Sequence, residues 1–140
     1  MALQTYTSAP DTPITYAENS TISFEINGEN NPCSSVSHYP GTAQIIIRNP
    51  GLYMVSYNGF ATGSGNVAVQ LYTNGTAVPY AKCIATSTGL TDAVPLNFNT
   101  YIRVLPSCAA INNTTTMTIN NVGVEANYYL NNLLVSRVSN

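Results

Sequence analysis

Apolar and polar positions alternate along this chain in short runs, and glycine, proline or asparagine separates one run from the next. Runs of period two predict strands that lay one face on a core. Ser20 to Ile26 sets Ile22, Phe24 and Ile26 against Ser23 and Glu25. A turn or loop is predicted from Asn27-Gly28 through Asn30-Asn31-Pro32 and Cys33 to Gly41. Ala43 to Ile47 is a short β-branched strand. Val67, Val69 and Leu71 alternate with Ala68, Gln70 and Tyr72, and Asn74-Gly75 then predicts a hairpin into a returning strand from Ala77 to Ala85. Val94 to Leu105 is the clearest alternation, with Leu96, Phe98, Ile102 and Val104 inward and Asn97, Asn99, Tyr101 and Arg103 outward. Thr114 to Asn120 and Tyr128 to Val138 close the chain. Loops are expected at Thr62–Asn66 and Thr86–Ala93.

The run from Leu52 to Ala61 departs from simple alternation. Tyr53, Val55 and Tyr57 point one way, and Leu52, Met54, Ser56, Asn58 and Phe60 the other. Both faces carry apolar groups, whereas an antiparallel sheet commonly keeps one face wet. A core on one side and a partner subunit on the other is the expected arrangement. The pattern predicts an all-β sandwich of about eight to ten antiparallel strands. Residues 1–17, with Pro10 and Pro13, are expected to form an extended arm or edge strand. Residues 18–140 are expected to form a single jelly-roll domain, and no internal repeat is present.

Composition narrows the function. Only 7% of the 140 residues are charged, and 44% are hydrophobic, so a compact domain with an amide- and hydroxyl-rich surface is expected rather than disorder. Four basic residues and a net charge of −2 argue against nucleic acid as a partner. No run approaches the roughly 18 apolar residues of a membrane helix, so no membrane insertion is expected, and Met1 to Tyr6 carries no signal-peptide pattern. Cys33, Cys83 and Cys108 have no metal-ligand spacing and read as buried small hydrophobes or as disulfide partners.

Candidate chemistry is sparse. His38 is the single histidine, so any Ser-His-Asp or Cys-His set must use it, yet no nucleophile signature surrounds it. The carboxylates Asp11, Glu18, Glu25, Glu29, Asp92 and Glu125 form no recognisable pair of the kind a glycosidase holds about 5 to 9.5 Å apart. No catalytic residue and no cofactor is expected. Tyr72, Tyr80, Tyr101, Tyr128 and Tyr129 fall at outward or edge positions. They either face a glycan or receptor ligand or fill a subunit interface. Asn19-Ser20-Thr21, Asn74-Gly75-Thr76 and the two overlapping matches in Asn112–Thr115 fit the N-glycosylation pattern, which an Asn- and Thr-rich chain produces by composition.

Three passages carry a family resemblance. Pro50-Gly51-Leu52-Tyr53, with Tyr57 further along, resembles the Pro-Gly-Leu-Tyr strand of the tumour-necrosis-factor-like superfamily, which includes complement-type globular heads. Leu71-Tyr72-Thr73-Asn74-Gly75 is similar to its apolar-x-x-Asn-Gly hairpin. Leu133-Leu134-Val135-Ser136-Arg137-Val138 resembles the closing strand of its bacterial members. The resemblance spans Ala43 to Val138. In style it is nearest to the heads of bacterial collagen-like spore-surface (exosporium) glycoproteins and of phage fibres. Asn99-Thr100 stands where complement-type heads carry Gly-Asp, and the collagen Gly-X-Y repeat is absent. The resemblance implies a TNF-like jelly roll, assembled as a homotrimer through Met54, Ser56, Asn58 and Phe60. It implies a non-enzymatic structural or interaction role at a spore, cell or virion surface, with a lectin-like glycan- or receptor-binding head as the alternative. Because some complement-type heads bind calcium, Asp92 is the one candidate metal ligand. In a spore-surface setting the Thr-rich segment 112–118 is a candidate for O-glycosylation.

Overall fold

The computed structural model describes residues 2–8, 12–30, 36–105 and 115–139. Among them run ten strands: β1 (Ala2–Ser8), β2 (Ile14–Tyr16), β3 (Ser20–Thr21), β4 (Ile26–Asn30), β5 (Val36–His38), β6 (Ile45–Ile47), β7 (Gly51–Thr73), β8 (Thr76–Val104), β9 (Thr115–Asn121) and β10 (Ala126–Ser139). All pair antiparallel in the order β4-β1-β10-β7-β9-β6-β5. β8 lies along β7, β2 on β10 and β3 on β9.

One long strand joins the two layers. The first part of β7, Leu52 to Gly63, pairs with β10, and its last part, Val69 to Thr73, pairs with β9. β8 follows β7 through both parts. One layer is therefore β4-β1-β10-β7-β8, and the other is β5-β6-β9-β7-β8. The turn predicted at Thr62–Asn66 is instead a bend within β7. There the register shifts between Ala61 and Gly63, and Thr62 is buried. The opposite strand answers with an excursion: partners step from Val94 to Gly89, so Leu90 to Ala93 fall between paired positions. A bulge of this kind bends and twists the pair without ending it.

The inward sets are those of the alternation. Tyr53, Val55 and Tyr57 on β7, Leu96, Phe98, Ile102 and Val104 on β8, Met117 and Ile119 on β9, and Leu133 and Val135 on β10 form one core with Ile22, Phe24, Ile45 and Ile47. Each buried aliphatic or Phe side chain contributes about 1.5–3 kcal/mol relative to exposure, which is what closes the layers. The Asn74-Gly75 hairpin forms as expected. Both residues have positive φ (48° and 81°), the geometry of a type I′ turn.

The N-terminal segment differs from its expectation. β1 is neither arm nor edge; it lies between β4 and β10, with Leu3 opposite Val135 and Thr5 opposite Leu133. Its inward positions are Leu3, Thr5 and Thr7, all buried. Two threonines on the core face hid the alternation. Asn27-Gly28 is likewise not a turn, because β4 runs through it with Asn27 opposite Thr5. Ile26, expected inward, faces out opposite Tyr6 and is 44% exposed.

Candidate self-association face

The outer side of the β4-β1-β10-β7-β8 layer gathers the unusual surface of this molecule. Register fixes which side chains meet. Met54 lies between Ser136 and Tyr101, Ser56 between Leu134 and Asn99, Asn58 between Asn132 and Asn97, and Phe60 between Leu130 and Pro95. Asn132 in turn lies opposite Tyr6, and Leu134 opposite Gln4. A band of amides thus crosses the middle of the face, with apolar groups above and below it. Leu134, Phe60 and Tyr101 are 36%, 37% and 58% exposed.

Two features order this surface. Gln4 Nε2 donates to Asn132 Oδ1 at 3.1 Å, tying β1 to β10. Phe60 and Tyr129 stack at 6.0 Å between centroids and 8° between planes. A shallow depression of about 320 Å³ lies among Gln4, Tyr6, Asn58, Leu130 and Asn132. Behind it Tyr57 stacks on Phe98 at 5.6 Å, and its hydroxyl donates to Asn131 Oδ1.

The sequence-predicted residues Met54, Ser56, Asn58 and Phe60 all lie on this face, half-buried or exposed. Gln4 and Tyr6 of β1 join them, which an N-terminal arm does not predict, and so do Leu130, Asn132 and Leu134 of β10, whose pairing with β7 the sequence does not show. The alternation of Leu3, Thr5 and Thr7 against Gln4 and Tyr6 was the available signal.

The tyrosines divide. Tyr80 is 68% exposed on β8, Tyr101 belongs to the face just described, and Tyr72 is half-buried. Tyr128, expected to face a ligand, is instead buried. Its ring meets Tyr16 edge-on at 5.6 Å, and its hydroxyl donates to Asn121 Oδ1 at 3.0 Å. A register shift between Tyr128 and Leu130 reverses the alternation there, turning Tyr128 inward and Tyr129 outward. Burial raises its hydroxyl pKa, as it does for Tyr16 and Tyr57.

Asp92 closes the β8 excursion. Its Oδ2 accepts from Thr88 N at 2.9 Å and from Thr88 Oγ1 at 3.0 Å, and its carbonyl accepts from Ser87 Oγ at 2.7 Å. One carboxylate oxygen is thus committed to the turn. No cluster of three or more His, Cys, Asp or Glu able to hold a metal ion lies among the described residues. Cys83 is a free, half-buried thiol, while Cys33 and Cys108 lie outside the described residues. His38 is buried, with the Asn27 side-chain oxygen, the Thr5 hydroxyl and the Thr42 carbonyl against its ring. No helix among the described residues is long and apolar enough to cross a membrane.

This arrangement is a TNF-like jelly roll. Eiger TNF from S. frugiperda superposes with a TM-score of 0.75 at 8% identity, over 99% of this chain and 92% of that one. Murine APRIL, in its pH 5.0 structure, gives 0.61 at 7% identity over 99% and 100%. The PRD1 vertex protein P5 gives 0.58 at 16% identity over 98% and 96%. At these identities the likeness is one of fold. The sequence matches no family model and no curated protein.

Proposed function

We propose that the chain is a non-enzymatic head that assembles as a homotrimer and serves as a structural or interaction module at the surface of a particle, spore or cell. The observation that carries this is the outer face of the β4-β1-β10-β7-β8 layer, where Phe60, Leu134 and Tyr101 stand exposed around an amide band. Such a surface is what a subunit interface uses: apolar area for affinity, and amides that must find partners and so fix the docking register. The family resemblance assigns trimer contacts to the same strand, and one fold neighbour is named as a vertex protein. Light scattering behind size exclusion tests the reading. A mass three times the 14.9 kDa chain supports it, and a monomer at micromolar concentration overturns it.

A second reading, glycan or receptor binding, is favoured by Tyr80, which stands 68% exposed away from the proposed interface. An exposed phenol offers an apolar ring with one polar handle. A glycan array with the native protein and Tyr80→Ala decides it: binding that survives the substitution removes this residue from the reading.

A further inference from the structure

His38 ends β5 inside the molecule, 5% exposed, and its ring bridges the two layers. Nδ1 lies 2.7 Å from Asn27 Oδ1 on β4 and 3.2 Å from Thr5 Oγ1 on β1. Nε2 lies 2.7 Å from the carbonyl of Thr42, in the turn between β5 and β6. The orientation of Asn27 is fixed by a third contact, in which its Nδ2 donates to the carbonyl of His38 itself at 2.8 Å. A carbonyl can only accept, so Asn27 must turn its NH₂ to that carbonyl and its Oδ1 to the ring. Thr42 likewise offers only a carbonyl. The Thr5 hydroxyl spends its proton on the Ile26 carbonyl at 3.1 Å. Every group facing the ring in this arrangement is therefore an acceptor.

A neutral imidazole carries one N–H and one lone pair, and an imidazolium carries two N–H groups. With one proton, the ring sets a lone pair against an oxygen at 2.7 Å, on whichever side lacks the hydrogen. We infer that His38 is a proton-operated clasp between the layers: singly protonated it holds either Asn27 or Thr42, and doubly protonated it holds both. The ring stays buried in either state.

The charges around it set the pH range. Burial pulls the ring below the ordinary histidine value, while the Thr42 carbonyl and the Glu25 carboxylate act the other way. From β1 and β4 the described side chains facing the ring are the uncharged Thr5 and Asn27, and from the segment before β4 Phe24 approaches edge-on at 6.2 Å. Arg48, beyond β6, is engaged with Ser37 Oγ, the residue of opposite parity on β5. Closure therefore falls below about pH 6.5. Thr5 lies between Gln4 and Tyr6 on β1, so the clasp bears on the strand that borders the depression of the outer face.

His38 is the one histidine of the chain, so ring ¹⁵N spectra of the whole labelled protein report it alone. From pH 8 to 4.5 the ring is expected to pass from one protonated nitrogen to two, with a midpoint below the ordinary value. Exchange of the Asn27 side-chain amide protons and of the Gly41 amide should slow at the same midpoint. Asn27→Ala removes the nearer of the two Nδ1 acceptors, leaving only the longer contact to Thr5 Oγ1, and should lower the midpoint by about one pH unit, a tenfold loss of proton affinity. A ring that swings into solvent on protonation, with faster exchange, overturns the clasp. So does an Asn27→Ala midpoint equal to that of the parent. Both readouts are made on one subunit's interior, so they stand apart from the outcome of the assembly test.

Discussion

The rings of Phe60 and Tyr129 lie face to face on the outside of paired strands β7 and β10, 6.0 Å apart. The pair exists because the register shift after Tyr128 turns residue 129 outward, beside the strand position that Phe60 already holds. A stacked aromatic pair left on an open sheet face has apolar area and orientation but no cover. In the proposed trimer it is covered. Phe60→Asp then places a charge without a partner in a desolvated contact, at a cost of about 2–5 kcal/mol per chain. The expected outcome is dissociation to a 14.9 kDa species or insolubility, read by light scattering. Met54→Asp, three rows away on the same face, should behave alike. An unchanged trimer from both variants removes β7 from the interface.

Beneath that face, the Tyr57 hydroxyl donates to Asn131 Oδ1. Both side chains are fully buried, and Asn131 Nδ2 already has no hydrogen-bond partner. Tyr57→Phe keeps the ring and its stacking on Phe98 but leaves Asn131 Oδ1 without its donor. The loss should be about 1–3 kcal/mol, the cost of an unsatisfied buried polar group. Urea unfolding is the measurement: a lower midpoint with unchanged slope is expected. A variant as stable as the parent would show that this bond contributes nothing net.

Much of this fold was legible because its central strands follow rules that act locally. Leu96, Phe98, Ile102 and Val104 share one parity, broken only by the half-buried Thr100, and all four are buried. Asn74-Gly75 makes the turn its residue types favour. The readings that failed did so where a distant partner decides the outcome. The glycines near residue 63 suggest a turn in isolation, yet pairing with β8 carries the strand through them. Thr5 and Thr7 look solvent-facing, yet they are buried because their hydroxyls donate to the carbonyls of Ile26 and Ser23. Tyr128 was misplaced by a one-residue bulge, which no period-two pattern can register. The candidate face was half visible for the same reason: its β7 side is local in sequence, while its β1 and β10 sides depend on pairings across the whole chain.

The β7–β8 turn is held from outside as well as by its own geometry. Asn74 Oδ1 accepts from Thr116 N at 3.0 Å, and Asn74 N donates to the Thr116 carbonyl at 2.8 Å. Asn74→Ala therefore loses both a residue tolerant of positive φ and an anchor to β9, for about 1–2 kcal/mol. Gly75→Ala has free space around the added Cβ but a φ of +81°, so backbone strain alone costs it about 1 kcal/mol. Asn74→Ala should lower the thermal midpoint more than Gly75→Ala. The reverse order would assign the turn's stability to backbone conformation rather than to the Thr116 bonds.

Alkaline pH should unfold this protein through its interior tyrosines. Burial raises the pKa of Tyr16, Tyr57 and Tyr128 above the ordinary value near 10. The sign follows from linkage: a folded-state pKa above the unfolded one gives stability that is fully present below about pH 10 and is lost as pH rises beyond it, because the unfolded chain ionises first. Far-UV circular dichroism and tyrosinate absorbance, followed together from pH 8 to 13, provide the measurement. Part of the absorbance change should lag and then appear with the loss of β-signal, since those phenols ionise only when the layers part. Tyr128→Phe removes one such group together with its bond to Asn121, so it should lower stability at pH 8 yet flatten the decline above pH 10. Absorbance that is complete before any β-signal is lost would mean that the buried hydroxyls ionise in place, against the desolvation that the enclosing side chains impose.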